Sequence, residues 1–322
     1  MILVEKPFKV GSPEYEEVDT IMKVPTGDIL TIKSRLNLPL EFLSVGDYGK
    51  ENNVKADFLN LKRDIVNVPH SKLQPLSEKW VITISTQHGC SMGCLFCDAP
   101  SVSLGINATY KDILCQVQTA LDLHPEIKHS RVNVLYARMG EPTWNRWVIK
   151  SAYYFKGLFD AKGWDFYPII STMMPKNNSD LQDFLDEWMD FKAEHDAGLQ
   201  ISVNTTSTEA RNRMMPMAMD LYKVASMLDY PVSGRKITLN FALTGEEINA
   251  KYLKRLFDPE RFICKLTPMY ANSTSIKNGI VSHPYAEVEE SLKAEGYDVI
   301  VFTPSKEEEE SKITCGSVVL CK

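Results

Sequence analysis

The chain has 322 residues, room for one large domain or two ordinary ones. Apolar residues at 44% and charged residues at 24% describe a globular protein and exclude a disordered chain, a collagen-like repeat and a small disulfide scaffold. With 36 basic against 42 acidic side chains the formal charge is −6, so composition gives no support to generic polyanion binding. No apolar run is long enough for a membrane span, which takes ~18 residues or more, so no membrane role is expected. The opening MILVEKPFKVGSPEYEE mixes charges with apolar residues and has no signal-peptide core. The expected compartment is the reducing cytoplasm, where seven cysteines, an odd number, are free, metal-bound or catalytic rather than paired.

Residues 1–79 read as a small, mainly β N-terminal region. Extended runs at Ile29–Ile32, Phe42–Val45 and Asp64–Val68 are separated by turn signals such as Thr26-Gly27-Asp28 and Gly46-Asp47. From Trp80 to the end the rhythm changes to alternating strands and helices. Strands are expected at 80–85, 132–137, 167–172, 199–204, 236–243, 261–269 and 297–303. Helices are expected at 110–124, 146–159, 180–194, 209–227, 246–256 and 283–295. That alternation predicts a parallel sheet with right-handed crossovers, and six or seven units suit an open or partial (β/α)6-type barrel. Chemistry in such a fold belongs to the loops after the strands. The Glu307–Glu310 run reads as a solvated acidic loop.

One such loop carries Cys90-Ser-Met-Gly-Cys94-Leu-Phe-Cys97, directly after the first strand of the alternating part. Three thiols within eight residues suit a soft metal centre, and Gly89 and Gly93 permit the turns that wrap it. A structural zinc site wants four closed ligands, and the next thiol, Cys115, falls inside a predicted helix. Three ligands on a 4Fe-4S cube leave one iron open. A zinc knuckle, or three incidental core cysteines, are the alternatives by spacing alone.

The C-x3-C-x2-C spacing with an aromatic residue before the third cysteine resembles the radical S-adenosylmethionine (SAM) superfamily. The resemblance implies a 4Fe-4S cluster on Cys90, Cys94 and Cys97, SAM on the open iron, and Phe96 near the adenine. It also implies an electron donor such as flavodoxin or ferredoxin. Outside the cluster it narrows to the RlmN/Cfr family, which methylates adenosine in RNA. Ser85-Thr86-Gln87-His88-Gly89-Cys90 is similar to that family's S-S-Q-x-G-C, and Met139-Gly140-Glu141-Pro142 to its M-G-M-G-E-P. Ile201-Ser202-Val203-Asn204 followed by Glu209, Arg211 and Pro216 is similar to its I-S-L-H-A…E-I-R…P. The resemblance places Gly140, Glu141, Ser202 and Asn204 on SAM, with Ser171 nearby and Asn272 as a further cofactor-binding residue. Asn204 stands where the family has His, and Met173 where it has a hydroxyl.

Thr314-Cys315-Gly316 resembles the family's A-C-G, whose Cys carries a methyl group from one SAM before it passes to an sp2 carbon. Asp64 falls where the family has a proton-accepting Glu. Two departures stand out. Thr83 occupies the place of a second catalytic Cys, and a hydroxyl cannot form a thiolate at neutral pH. Cys115, Cys264 and Cys321 are the other thiols that could serve. The family's helical RNA-binding domain has no counterpart in residues 1–79. The resemblance thus implies a radical SAM methyltransferase with RNA as substrate. The alternative is a radical SAM enzyme with other chemistry on a small molecule, nucleotide or protein.

Overall fold

In the computed structural model the described residues are Leu3–Val4, 18–34, 36–47, 75–231, 233–302, 306–314 and 316–321. Asp64, the extended run Asp64–Val68 and Cys315 lie outside them.

Among the described residues eleven strands form one sheet in the order β1-β2-β3-β4-β5-β8-β9-β10-β11-β12-β13. Its first part is an antiparallel meander: β1 (Leu3–Val4), β2 (Val18–Val24), β3 (Gly27–Lys33) and β4 (Pro39–Val45). β4 pairs antiparallel with β5 (Lys79–Ile84), so the N-terminal strands extend the main sheet edge to edge. From β5 onward every neighbour is parallel: β8 (Arg131–Tyr136), β9 (Asp165–Thr172), β10 (Gly198–Ser202), β11 (Ile237–Leu243), β12 (Phe262–Pro268) and β13 (Val299–Val301). The sheet is not closed among the described residues, which matches the expected partial barrel.

The crossovers carry α1 (Tyr110–Asp122), α2 (Trp147–Lys162), α3 (Leu181–Glu194), α4 (Thr208–Met214), α5 (Leu221–Met227), α6 (Ala250–Leu256), α7 (Ser273–Lys277) and α8 (Ala286–Ala294). Caps set their starts. Thr109 and Asp112 form a reciprocal capping box on α1, and Asn249 accepts from Tyr252 N to begin α6 four residues after the expected 246. The expected helix 209–227 is two helices. Pro216 has no N–H to continue the first, and Asp220 caps the second by accepting from Tyr222 N at 2.8 Å. The acidic run falls in a short helix, α9 (Lys306–Glu310), with Glu309 and Glu310 exposed. A hairpin of β6 (Gln87–Gly89) and β7 (Leu104–Asn107) brackets the cysteine loop. No helix among the described residues is long and apolar enough to cross a membrane.

Parallel strands alternate between a helix-covered face and an inner face. On β11 and β12 the residues Ile237, Leu239, Phe241, Phe262, Cys264 and Leu266 are buried against helices. Thr238, Asn240, Lys265 and Thr267 alternate with them and are half-buried. Trp80 anchors the junction of meander and parallel sheet: it is fully buried and its indole N–H donates to Ser44 Oγ at 2.9 Å.

Among the further polar ties between the meander and the rest, two involve buried carboxylates. At the end of α1, His124 lies edge-on to Trp80, 5.4 Å between ring centroids, and its Nε2 is 3.5 Å from Asp28 Oδ2 on β3. Asp28 raises the His124 pKa, with burial opposing, while burial of Asp28 is outweighed by His124 and Lys23, which hold its carboxyl below its ordinary value. The second tie is Glu41 on β4, fully buried. Its carboxylate accepts from Arg138 Nε at 2.9 Å, pairs with the same guanidinium through Nη2, and accepts from Val319 N at 2.9 Å and from Leu320 N. The end of the chain is thereby fastened to the N-terminal strands.

A raised histidine stabilises the folded chain fully below its unfolded pKa of about 6.5, and the contribution fades as pH rises through the raised native value. Urea midpoints measured from about pH 6 to pH 9 fall accordingly in the parent, and His124→Gln flattens that part of the profile. Glu41→Ala strips a buried guanidinium of its counter-charge and two N–H groups of their acceptor. The expected loss is about 3–5 kcal/mol in urea unfolding, with earlier trimming of the C-terminus by carboxypeptidase. A loss under about 1 kcal/mol means that water or another group takes over the carboxylate's role.

Candidate functional site

The cysteine loop follows β5 at the carboxyl end of the sheet. Its entry is fixed by α1: Gln116 accepts from Ser85 N at 2.8 Å and donates to Ser85 O at 2.9 Å. Thr86 N then donates to Met139 O at 2.8 Å, which joins the lead-in to the loop after β8. Gly89 has φ +71°, and a Cβ there would lie 2.3 Å from Ser103 O, so no other residue fits. Cys90 N donates back to Ser103 O at 3.2 Å and Cys97 N to Cys94 O at 3.2 Å, closing the loop on itself.

All three thiols are half-buried. The backbone N–H groups of Met92 and Gly140 point at Cys90 sulfur, yet burial dominates and pushes that thiol up to about 11. A metal that takes the sulfur as thiolate displaces its proton. Among the described residues no three ligand side chains are already gathered around one point. What fits an iron–sulfur cluster is the donor set: three cysteines alone on a glycine-containing loop, soft ligands beside apolar side chains.

The loop after β8 lies against this one. Gly140 has φ +96°, and a Cβ would be 2.6 Å from Gln87 Cβ and 2.7 Å from Gln87 N. Glu141 N donates to Gln87 Oε1 at 2.9 Å. The Glu141 carboxylate is buried and accepts from Thr143 N at 3.2 Å, Thr143 Oγ1 at 2.9 Å and Met173 N at 3.0 Å. Burial raises its pKa against these hydrogen bonds and one from Thr172. The side chain thus ties the end of β8 to the end of β9, and the backbone of Gly140 faces Cys90.

Ser171 and Ser202 are half-buried at the carboxyl ends of β9 and β10. Asn204 follows at φ +61°, a conformation asparagine tolerates better than most residues. Its Oδ1 accepts from Ala242 N at 2.8 Å, and its Nδ2 donates to Met215 Sδ at 3.2 Å, a weak acceptor. Beneath these ends lies Arg211, 2% exposed. It donates to Ser202 O at 2.8 Å, Val203 O at 2.7 Å, Met219 O at 3.0 Å and Met173 O at 3.2 Å. Burial lowers this guanidinium to about 10. Four carbonyls solvate a buried cation and draw the ends of β9 and β10 together.

Met173 joins Met92, Met214, Met215 and Ala218 in a buried group packed on Cys90, Cys94, Phe96, Trp144 and Met217. A wall of thioethers therefore faces the cysteine loop. Its members come from the cysteine loop, the segment after β9 and the end of α4 with the residues that follow, and only folding brings them together. Phe96 is half-buried against this wall.

Asn272 is where the structure adds most to the sequence reading. It is 1% exposed, and its Oδ1 accepts from Ser275 N at 2.8 Å as the cap of α7. Its Nδ2 donates to Phe96 O at 2.8 Å and to Gly316 O at 3.1 Å. Asp98, fully buried, donates through its own N–H to Gly316 O at 2.7 Å. Its Oδ1 accepts from Ser273 Oγ at 2.9 Å, Thr274 Oγ1 at 2.7 Å and Thr274 N at 3.1 Å. The cysteine loop, the start of α7 and Gly316 thus share one buried junction. Asp98 carried no signal in sequence beyond its place after Cys97.

Of the other residues singled out, Thr83 is half-buried in β5, between Leu43 on β4 and Leu135 on β8. Cys115 is buried in α1 with Thr119 Oγ1 3.8 Å away. Cys264 is buried on the helix-facing side of β12 and pushed up to about 12 by burial. Cys321 is half-buried, raised to about 12 by burial and by Glu41, with Arg138 opposing.

No family model matches the chain. Curated relatives do. Over 166 residues, half of this chain, it is 30% identical to the dual-specificity RNA methyltransferase RlmN of Syntrophotalea carbinolica. Over 151 residues, 47% of this chain, it is 31% identical to RlmN of Geotalea uraniireducens. The matched segments span 41% and 40% of those relatives, less than half their length. Among solved structures, a radical SAM methyltransferase from Sphaerobacter thermophilus superposes with a TM-score of 0.64, over 94% of this chain and 80% of that one, at 16% identity. That likeness is one of fold. The chain is thus similar to RlmN-type RNA methyltransferases over about half its length and shares the fold of a radical SAM methyltransferase.

Proposed function

We propose that the protein is a radical SAM methyltransferase that modifies an sp2 carbon of a nucleobase in RNA, with Cys315 as the methyl carrier. The observation that carries this reading is the buried junction at Gly316. The residue that follows Cys315 bonds through its carbonyl to Asp98 N and Asn272 Nδ2, at 2.7 and 3.1 Å, and Asn272 bonds also to Phe96 O. On this reading the residue that precedes Gly316 in the chain, Cys315, is the methyl carrier.

In this reading Cys90, Cys94 and Cys97 hold a 4Fe-4S cluster, which when reduced by a donor such as flavodoxin or ferredoxin supplies the electron that cleaves SAM. The chain's own residues bind and orient. Gly140 and Glu141 receive the methionine end of SAM, the glycine because its bare backbone faces Cys90. Ser171, Ser202 and Asn204 supply polar groups at neighbouring strand ends, Asn204 by exchanging the weak Met215 sulfur for a better acceptor. Phe96 and the methionine wall exclude water from the adenine side. Asn272 acts as a positioning residue, since its amide is spent on Phe96 and Gly316. Cys315 takes a methyl group from SAM: the S–CH3 bond forms, the sulfonium bond breaks, S-adenosylhomocysteine leaves and the thiol proton passes to a base. Asp64 is the proposed proton acceptor toward the substrate. Glu41 positions the C-terminal segment, its oxygens being occupied by Arg138, Val319 and Leu320.

A second reading rests on Thr83. No hydroxyl in β5 can resolve a covalent adduct as a thiolate does, and Cys115 and Cys264 are buried, in a helix and on the helix-covered face of the sheet. A radical SAM enzyme that uses the same SAM site for other chemistry fits that observation.

Anaerobic reconstitution with iron and sulfide, followed by SAM and reductant, separates the two. On the methyl-transfer reading the Cys315 peptide gains one methyl group as S-adenosylhomocysteine is released. An unmodified peptide alongside 5′-deoxyadenosine formation selects the second. Cys94→Ala abolishes iron–sulfur absorbance and 5′-deoxyadenosine formation together, and retained cleavage removes both readings.

A further inference from the structure

The rim of the sheet beside the cysteine loop carries a cluster of aromatic and basic side chains that the SAM site does not use. α1 and α2 both begin at the carboxyl ends of their strands, and their first turns lie side by side. Tyr110 opens α1, with its ring centroid 5.7 Å from that of Trp147 and 6.4 Å from that of Tyr154. Trp147, Lys150 and Tyr154 share one face of α2 at helical spacing. Lys150 Nζ sits 5.1 Å above the Tyr110 ring and 5.3 Å above that of Trp147. Trp147 is 37% exposed and Tyr154 47%. The β6–β7 hairpin adjoins them. Gly105 lies with its backbone against Ser91 (a Cβ would be 2.5 Å from Ser91 N), and on either side of it Leu104 and Ile106 are 88% and 47% exposed. Asn107 links the hairpin to the turn before α2 by donating to Trp144 O at 2.7 Å.

Charge sets this rim apart from the rest of an acidic chain. Residues 104–118 and 143–159 contain Lys111, Arg146, Lys150 and Lys156 against a single acid, Asp112. Asp112 is buried and accepts from Thr109 N as part of the helix cap. Lys111, Arg146 and Lys150 are exposed. Farther along α2 Asp160 pairs with Lys156, and on the next helix, α3, Asp190 and Glu194 face Tyr153, whose own ring packs on Phe191. The basic, aromatic surface is therefore bounded on that side.

We propose that this rim is a stacking platform for unpaired nucleotides of single-stranded RNA, with Trp147, Tyr154 and Tyr110 receiving base faces and Lys111, Arg146 and Lys150 the phosphates. Aromatic rings between cations on a solvent-facing rim match what unpaired strands offer, flat bases on a polyanionic backbone. Duplex RNA hides its base faces and gains only the charge. The proposal deepens the RNA reading given above and rests on it for the identity of the polyanion.

The test uses the full chain and a labelled, unstructured RNA about ten nucleotides long, read by fluorescence anisotropy. The parent binds the single strand at low salt and binds a duplex of equal length several-fold more weakly. The Trp147→Ala/Tyr154→Ala double variant loses about tenfold or more in affinity, while Trp147→Phe retains most of it. Lys150→Gln lowers the slope of log affinity against log salt by about 1. Absence of binding by the parent overturns the proposal, as does equal affinity of the double variant or equal competition by the duplex. Formation of 5′-deoxyadenosine without RNA, measured on the same reconstituted proteins, is unchanged by the double variant. If the parent makes none while the binding pattern holds, the radical reading fails and the platform stands.

Discussion

A buried carboxylate on the fourth strand holds the far end of the chain. Glu41 has no water to solvate it, and it is balanced by one guanidinium and two backbone N–H groups, those of Val319 and Leu320. Burial of a charge is tolerated only where its partners are complete. Arg138 comes from the loop after β8, so three distant parts of the chain must be in place before the carboxylate is satisfied. The C-terminal segment gains a second fastening a few residues earlier, at Gly316 on Asp98 and Asn272. The second of these ties sets Gly316 against the Phe96–Asp98 end of the cysteine loop.

The same economy recurs at the strand ends. Parallel strands present all their carboxyl ends on one side, so loops from six different crossovers meet there. They meet closely enough that a side chain is excluded at Gly140, which lies against Gln87 of the preceding crossover. Polar side chains then bridge one loop to the next: Gln87 to Glu141, Glu141 to Met173, Arg211 to Ser202, Val203 and Met173, Asn272 to Phe96 and Gly316. Several of the residues whose sequence pattern suggested ligand contact turn out to be spent on these bridges. Glu141 and Asn272 use their side chains on the protein, and what they offer a ligand is backbone placement.

The order of strands and helices was legible because buried parallel strands and amphipathic helices differ in period, and both periods are local. Gly89, the three cysteines and Gly140-Glu141 were legible for the same reason: each lies within a short stretch whose spacing has a chemical meaning. The hairpin at Gln87–Gly89 and Leu104–Asn107 was not, since strands of three and four residues leave no period to read. The break at Pro216 and Asp220 was signalled by proline and cap together, and the apolar pattern on either side masked it. Nothing local distinguishes Glu41 from an exposed strand residue: its partners are 97 and 278 positions away. The methionine wall shows the same limit, because Met92, Met173 and Met214–Met215 acquire a common meaning only once three loops converge.

The departures from the RlmN pattern share a location. Thr83, Met173 and Asn204 all stand at or near the inner side of the sheet, whereas the glycines and bridges that shape the cysteine loop match the pattern. Asn204 has a backbone reason, its left-handed conformation, and still offers an amide. Met173 has a packing reason, since it completes an apolar wall that a hydroxyl would interrupt. Thr83 has neither: in β5 a threonine, a valine or a cysteine would fit a half-buried position between Leu43 and Leu135 equally well. Packing therefore does not account for the absence of a thiol there. On the proposed reading, the machinery that holds SAM and loads Cys315 is complete without residue 83, and only release of the product calls for it. On that reading the divergence of this chain falls on the last stage of the chemistry.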